Sequence, residues 1–358
     1  MYLIIIYKMA SSSSSFVKYK NKGLSGLVNL GNSCFVNSCI QILSHTYELN
    51  EVLDNPNLKS KLKNKYDTAL LIEWDNLRKL LWSENCTISP GKFFSTIQKV
   101  ACVKDLELFT KYSQNDISEF LLFVVDCFHN SLSRKIKMSI SGVADSETDT
   151  LAICCYEMIK KTYSDEYSEI WNLFYAVQVS EIISIETNAR LSVRPEPFFI
   201  ISLPIPADNK TPTILDCFNL YVEGEVLEGD NAWFHEESNK KVNIIKKLSF
   251  WSLPSILVVD FKRFNARNQK NQILITFPVN ELLDLSNYVI GYQKEMYKYE
   301  LYGVCNHTGG AQGGHYTAFV KNANGKWYIF NDVSVGEISE SNIVSTRAYC
   351  LFFRIKKC

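Results

Sequence analysis

The hydrophobic period changes once along this chain, near Trp171, and that change restricts the fold more than any count of residues. Before it, "DTALLIEWDNLRKLLW" sets Leu70, Leu71, Trp74, Leu77 and Leu81 at helical spacing, which predicts an amphipathic helix over residues 67–82. "SPGKFFSTIQKV", with Ser89 as cap and Pro90 at the first helical position, and "SQNDISEFLLFVVDCFHNSL", opening at Ser113 with early acids, predict two more. After it, "EPFFIISLPIP", "SILVVDFKRF", "YELYGVCNH", "HYTAFVKN", "KWYIFND" and "AYCLFFRIK" are short, β-branched and aromatic, and are bounded by Gly, Pro and Asn, as strands are. The polar stretch 135–149 has no clean period and reads as a loop. Helices first and strands second, in 358 residues of 46% apolar content, predict an α+β fold whose core divides into lobes.

Thirty-eight basic and 38 acidic residues leave no net field for a polyanion, so neither nucleic acid nor an anionic membrane is an expected partner. The apolar run from Tyr2 to Tyr7 is shorter than a signal core of about 7–15 residues and far short of the ~20 that span a bilayer. Met9 followed by "ASSSSS" reads as an alternative start and a flexible leader, so residues 1–20 are expected to be disordered and 21–358 to form the folded unit. Eleven cysteines, none in a Cys-x-x-Cys pair, point to a reducing, intracellular setting in cytoplasm or nucleus.

Cys34 stands apart from the other cysteines. In "GLVNLGNSCFVNSCIQIL" Gly31 and Asn32 suit a tight left-handed turn, and the spacing of Phe35, Cys39, Ile42 and Leu43 starts a helix at the cysteine. A thiol there faces unpaired N–H groups and the positive end of the helix dipole, which favours thiolate. Cys39, Cys127 and Cys305 read instead as buried structural cysteines. A thiol nucleophile needs a base, and the chain has five histidines. His315 follows a glycine-rich loop and begins "HYTAFVK", which with "NANG" and "KWYIFND" reads as a hairpin. With Lys321 opposite Lys326, His315 lies opposite Asp332 and one position from Asn331. Cβ atoms of facing residues are roughly 4.5–5.5 Å apart, so either could hold the imidazole. His307, in "NHTGG", reads as a structural loop histidine.

The boxes "GLVNLGNSCFVNSCIQ", "QNDISEFLLFVVDCFH", "LPSILVVDFKRF" and "YELYGVCNHTGGAQGGHYTAF…KWYIFND", in that order, resemble the ubiquitin-specific protease family of papain-like cysteine peptidases over residues 23–356. The resemblance implies a helical thumb (about 21–170) and a β-rich palm with β fingers (about 171–358), and a catalytic cleft between thumb and palm. It implies Cys34 as nucleophile, His315 as base, Asn331 as third triad member with Asp332 as a supporting group able to share its role, and Asn29 as oxyanion donor. It further implies that Gln114, Asp116, Glu119 and Tyr316 contact ubiquitin, and that Gly313 and Gly314 leave a narrow tunnel for its Gly-Gly end. The implied activity is that of a monomeric, cofactor-free deubiquitinase acting on ubiquitin and ubiquitinated proteins. A ubiquitin-binding module without turnover, or a protease for another ubiquitin-like modifier, is the competing expectation.

The sequence departs from that family at the fingertips. Two zinc-binding Cys-x-x-Cys pairs are replaced at the matching positions by Ser184 and Thr187, and by His235 and Ser238. Hydroxyls and one imidazole do not make a four-ligand zinc site, so no metal is expected and the fingers must be held by strand pairing and packing.

Overall fold

The computed structural model describes residues 13–356 apart from 61, 63, 64, 112, 237 and 312. Most of the serine leader therefore lies outside the described residues. Its last part is described: Ser13–Tyr19 is a 3-10 helix, and the buried Tyr19 ring stacks on Tyr47 with centroids 4.5 Å apart.

A two-stranded parallel pair, β1 (Gly26–Leu27) with β2 (Thr87–Ile88), borders the first lobe. Its helices are α1 (Cys34–Ser44), α2 (Tyr47–Asp54), α3 (Pro56–Lys59), α4 (Tyr66–Ser83), α5 (Gly91–Val103), α6 (Ile117–Leu132), α7 (Glu147–Glu166) and α8 (Glu169–Phe174). The helix predicted over 67–82 is α4, with Leu70, Leu71, Trp74, Leu77 and Leu81 all buried. Pro90 caps α5 and does not open it, and α6 begins after Asp116, whose carboxylate accepts from the N–H groups of Ser118 and Glu119. All eleven residues of α1 are buried, so this helix is the centre of the lobe. Its polar side chains find partners inside: Gln41 donates to the Ser25 carbonyl at 2.8 Å and Ser44 to Gln41 at 2.9 Å.

Strands follow from β3 (Ala176–Ser184) through β4 (Arg190–Phe198), β5 (Ile200–Leu203), β6 (Glu225–Leu227), β7 (Trp233–His235), β8 (Lys240–Val242) and β9 (Ile244–Phe250). The series continues with β10 (Ile256–Phe261), β11 (Leu283–Asp284), β12 (Lys298–Gly310), β13 (Gly313–Lys321), β14 (Trp327–Asn331), β15 (Ser334–Ile338) and β16 (Ala348–Ile355). The palm is an eight-stranded sheet in the order β15-β14-β13-β12-β16-β10-β5, with β11 added on β12. The fingers are the four-stranded sheet β4-β3-β9-β6, and β7 pairs with β8 beyond it. One further helix, α9 (Ile214–Val222), interrupts the strand half; Thr213 and Asp216 close a reciprocal capping box at its start.

One boundary differs from the sequence expectation. α7 starts inside the stretch read as loop, and its buried Ala152 and Cys155 pack with Val177, Val179 and Trp251 of the finger base. It buttresses the fingers, although its place in sequence assigns it to the thumb. At the fingertips the hydroxyls form turns: Ser184 Oγ accepts from the Thr187 N–H at 3.3 Å, and Ser238 Oγ meets His235 Nδ1 at 2.8 Å. Among the described residues no group of three or more His, Cys, Asp or Glu is placed to hold a metal, and no helix is long and apolar enough to cross a membrane.

Palm and thumb are tied by a buried cation. The Arg354 guanidinium of β16 donates to the His45 carbonyl at 2.8 Å and lies over the rings of Tyr302 (4.2 Å) and Tyr47 (4.7 Å). Burial holds His45 and His129 at about 4, below the usual 6.5. Above pH 6.5 each is neutral whether folded or not. As pH falls from 6.5 toward 4 the unfolded chain takes up protons that the native state refuses, so stability is lost across that window and the loss levels off below it. Each histidine contributes up to about 3 kcal/mol of this loss at 1.36 kcal/mol per unit. Urea unfolding is expected to show falling stability between pH 6.5 and 4.5, with a shallower fall in His129→Gln; identical slopes would refute the assignment.

Candidate active site

The turn before α1 has the predicted backbone: φ is +99° at Gly31 and +51° at Asn32. It delivers Cys34 as the first residue of the helix, 3% exposed, with the N–H groups of Phe35 and Tyr316 facing the sulfur. The expected lowering of its pKa does not result. Burial raises the thiol above its ordinary value and the Asp332 carboxylate adds to this, outweighing the backbone donors. The resting group is a thiol, and its chemistry needs a base.

His315 lies on β13, directly before Tyr316, so the peptide group that follows the imidazole is the one that reaches the Cys34 sulfur. The hairpin register decides which residue holds this imidazole. Lys321 pairs with Trp327 and Ala318 with Phe330, one residue away from the expected register. Asn322 accepts the place opposite Lys326, its N–H donating to the Lys326 carbonyl at 2.9 Å, and Gly325 takes φ +86° to complete the longer turn. A shift of one exchanges the faces of a strand. Thr317 then falls opposite Asn331, and His315, two residues away, shares their face. His315 Nε2 lies 2.7 Å from Asn331 Oδ1. That oxygen can only accept, so Nε2 carries the proton and Nδ1 is left as the basic nitrogen.

Asp332 does not share the role of Asn331. It sits just past β14 with φ +50°, and its carbonyl accepts from the Leu27 N–H at 2.8 Å. One carboxylate oxygen accepts from Asn29 Nδ2 at 2.9 Å and the other from Asn37 Nδ2 at 2.7 Å. Asn29 is thereby fixed at both ends, because its Oδ1 accepts from the N–H of Gly31 (3.0 Å) and of Ser33 (3.3 Å). One of its two N–H donors is used by Asp332, and the other is of the kind an oxyanion requires. Asn37 was not singled out from sequence. Its signal was a polar residue one turn after Cys34, on the same face of the helix.

The residues expected to contact ubiquitin fall into two groups. Glu119 is exposed, and burial with the nearby Asp116 charge raises its carboxyl above the ordinary range. Gln114 is exposed but engaged: its Nε2 donates to the Gly314 carbonyl at 2.8 Å, and its Oε1 accepts from the Gly314 N–H at 2.6 Å. Asp116 is turned inward, capping α6 with one oxygen and accepting from the Tyr349 hydroxyl with the other. The Tyr316 ring is 7% exposed among His307 and Tyr349, so the residue serves the site through its backbone. The two glycines also differ from each other. A Cβ on Gly313 would meet only Gln114 at 3.6 Å, whereas one on Gly314 would lie 2.2 Å from His307 Nε2. Gly314 thus lacks a side chain because the protein itself occupies the space. His307 is a buried strand residue of β12, not part of a loop, and Lys270 lies against it.

Comparison with known proteins adds to this geometry. The family described as ubiquitin carboxyl-terminal hydrolase matches residues 25–353. The chain is 34% identical over 343 residues to ubiquitin carboxyl-terminal hydrolase 2 of Bos taurus, a match covering 93% of this chain and 55% of that protein. To ubiquitin carboxyl-terminal hydrolase 2 of Gallus gallus it is 33% identical over 349 residues, covering 93% and 94%. The chain therefore spans about half the length of the first relative and nearly all of the second. Among solved structures, a chain of the SAGA DUB module bound to monoubiquitin superposes with a TM-score of 0.71 at 26% identity, over 95% of this chain and 70% of that one. The same module bound to ubiquitin aldehyde gives a TM-score of 0.69 at 25% identity, over 95% and 71%. With a helix-borne cysteine, a hairpin-borne histidine and a papain-like α+β fold matched over nearly its whole length, this chain belongs to the ubiquitin carboxyl-terminal hydrolases, in the ubiquitin-specific protease family.

Proposed function

We propose that this chain is a thiol-dependent deubiquitinase that hydrolyses the isopeptide bond after the C-terminal glycine of ubiquitin. The observation that carries the reading is the convergence of Cys34, His315 and Asn331 from elements nearly 300 residues apart. His315 Nδ1 takes the thiol proton as the sulfur attacks the glycine carbonyl, and the raised thiol pKa makes this general-base step necessary. The second N–H of Asn29 and the backbone N–H of Cys34 stabilise the tetrahedral oxyanion. The imidazolium then protonates the departing lysine amine, leaving a thioester on Cys34. Water, deprotonated by the same imidazole, attacks the thioester and releases ubiquitin and the free thiol. Every group in this cycle comes from one chain, which supports action as a monomer. The described cysteines are all free, which supports an intracellular, reducing setting in cytoplasm or nucleus. The balance of charges gives no ground for a nucleic-acid or membrane partner.

Hydrolysis of a fluorogenic C-terminal ubiquitin derivative tests the reading, with the same fluorophore on other ubiquitin-like modifiers as the comparison. The wild type is expected to prefer ubiquitin, and Cys34→Ala and His315→Ala to lose at least about 10³-fold in kcat. Equal rates on another modifier, or tight ubiquitin binding without turnover, would contradict it. Asp332 and Asn331 act on different groups, so their alanine variants should give losses in kcat/KM that combine additively. Asp332→Ala and Asn29→Ala share the Asn29 amide, so their losses should combine less than additively, around the ~10²–10³-fold loss expected for the oxyanion donor. The reverse pattern in a double-mutant cycle would restore a shared orienting role for Asn331 and Asp332.

A further inference from the structure

We infer that Lys270 is a positioning residue for the catalytic strand: its ammonium group clamps the His307 imidazole behind Gly314 and Tyr316, and so fixes the placement of His315 between them. The inference rests on the proposed hydrolase reading for its kinetic part only.

Lys270 Nζ lies 2.9 Å from His307 Nδ1 and 2.6 Å from the His307 carbonyl oxygen. An ammonium has donors only, so Nδ1 must accept and the ring is the neutral tautomer with its proton on Nε2. Burial and the Lys270 charge together push His307 down to about 4, so the imidazole stays neutral wherever such an enzyme would work. The ring is boxed in, with centroids 4.6 Å from Tyr316, 5.8 Å from Tyr349 and 5.9 Å from Phe264.

The β12–β13 ladder gives this box its consequence. His307 pairs with Tyr316, Thr308 with His315 and Gly309 with Gly314. His307 therefore shares a face with Gly314 and Tyr316, while His315 points to the other. The close approach of Nε2 to Gly314 and the packing on Tyr316 mean that the ring touches the residues immediately before and after His315. Tyr316 in turn presents its N–H to the Cys34 sulfur. A movement of the ring is transmitted to both neighbours of the base and to one donor at the nucleophile.

Among the described residues no carboxylate pairs with Lys270. The groups placed against it are Arg263 and the Phe264 ring on its own segment, the ring centroid 5.9 Å from Nζ, and His307 on β12, which in turn feels the Asp116 carboxylate at the start of α6. Burial first, and then the Arg263 guanidinium, lower Lys270 from 10.5 to about 8. Below pH 8 it is an ammonium and the clamp consists of charge-assisted bonds. As pH rises through 8 it becomes an amine, and those bonds lose roughly half their strength.

The test uses the whole chain labelled with ¹⁵N-histidine, read by NMR from pH 6.5 to 9.5, beside the pH profile of kcat/KM on fluorogenic ubiquitin. In the wild type the His307 nitrogens should titrate with a midpoint near 8, far from their own proton uptake, and kcat/KM should fall over the same range. Lys270→Met should abolish that NMR transition, shift the His315 resonances and lower kcat/KM at pH 7 by roughly tenfold or more. Lys270→Arg, which stays charged, should restore much of the rate and remove the alkaline fall. His307 nitrogens that do not respond between pH 6.5 and 9.5, or a Lys270→Met variant with wild-type His315 resonances, would overturn the inference. An inactive wild type would refute the hydrolase reading and leave the NMR result to decide Lys270 alone.

Discussion

One carboxylate, Asp332, joins the parts of this site that come from opposite ends of the chain. It follows the last residue of β14, and it accepts from Asn29 in the turn before the nucleophile and from Asn37 one turn after it. A hydrogen bond to a charged group is worth about 1.5–3 kcal/mol net, so these two bonds are a substantial part of what holds the thumb's cysteine helix to the palm's histidine hairpin. The left-handed backbone at Asp332 aims both oxygens at the thumb and leaves Asn331, one residue earlier, to face the imidazole. Adjacent residues thus serve two groups: one fixes the His315 imidazole, the other fixes the Asn29 amide and the helix.

The electrostatics divide in the same way. Cys34 sits where helix N–H groups favour an anion, yet burial and Asp332 oppose ionisation and prevail. The carboxylate that assembles the site adds to burial in raising the thiol pKa. This protects a buried thiol from becoming a standing thiolate and makes the reaction depend on the imidazole. Gln114 adds a second resting contact, binding both backbone groups of Gly314 across the cleft.

Much of this was legible in the residues, and the limits have physical causes. The left-handed turn, the start of α1, the strand half and the His315 hairpin follow from glycine, asparagine and periodicity, which act locally. The choice between Asn331 and Asp332 turned on one residue of hairpin register. The Asn324-Gly325 signal marks a turn without fixing its length, and here Lys326 joins the loop opposite Asn322. α7 was missed because its apolar face meets the fingers through few residues, Ala152 and Cys155 among them, and leaves little periodic trace. The thiol pKa was misjudged because a helix terminus is visible in sequence and burial is not. Asp116 and Tyr316 were assigned outward roles through family resemblance, whereas their packing against Tyr349 and His307 is a matter of tertiary structure.

The central claim is that a single buried sulfur, reached by the His315 hairpin, is the reacting atom. Covalent trapping tests it most directly: ubiquitin carrying a C-terminal electrophile is incubated with the protein and the adduct is mapped by peptide mass spectrometry. The account predicts one adduct, on Cys34, formed slowly or not at all when His315 is alanine. An adduct on another cysteine, or saturable ubiquitin binding with no adduct, would contradict it.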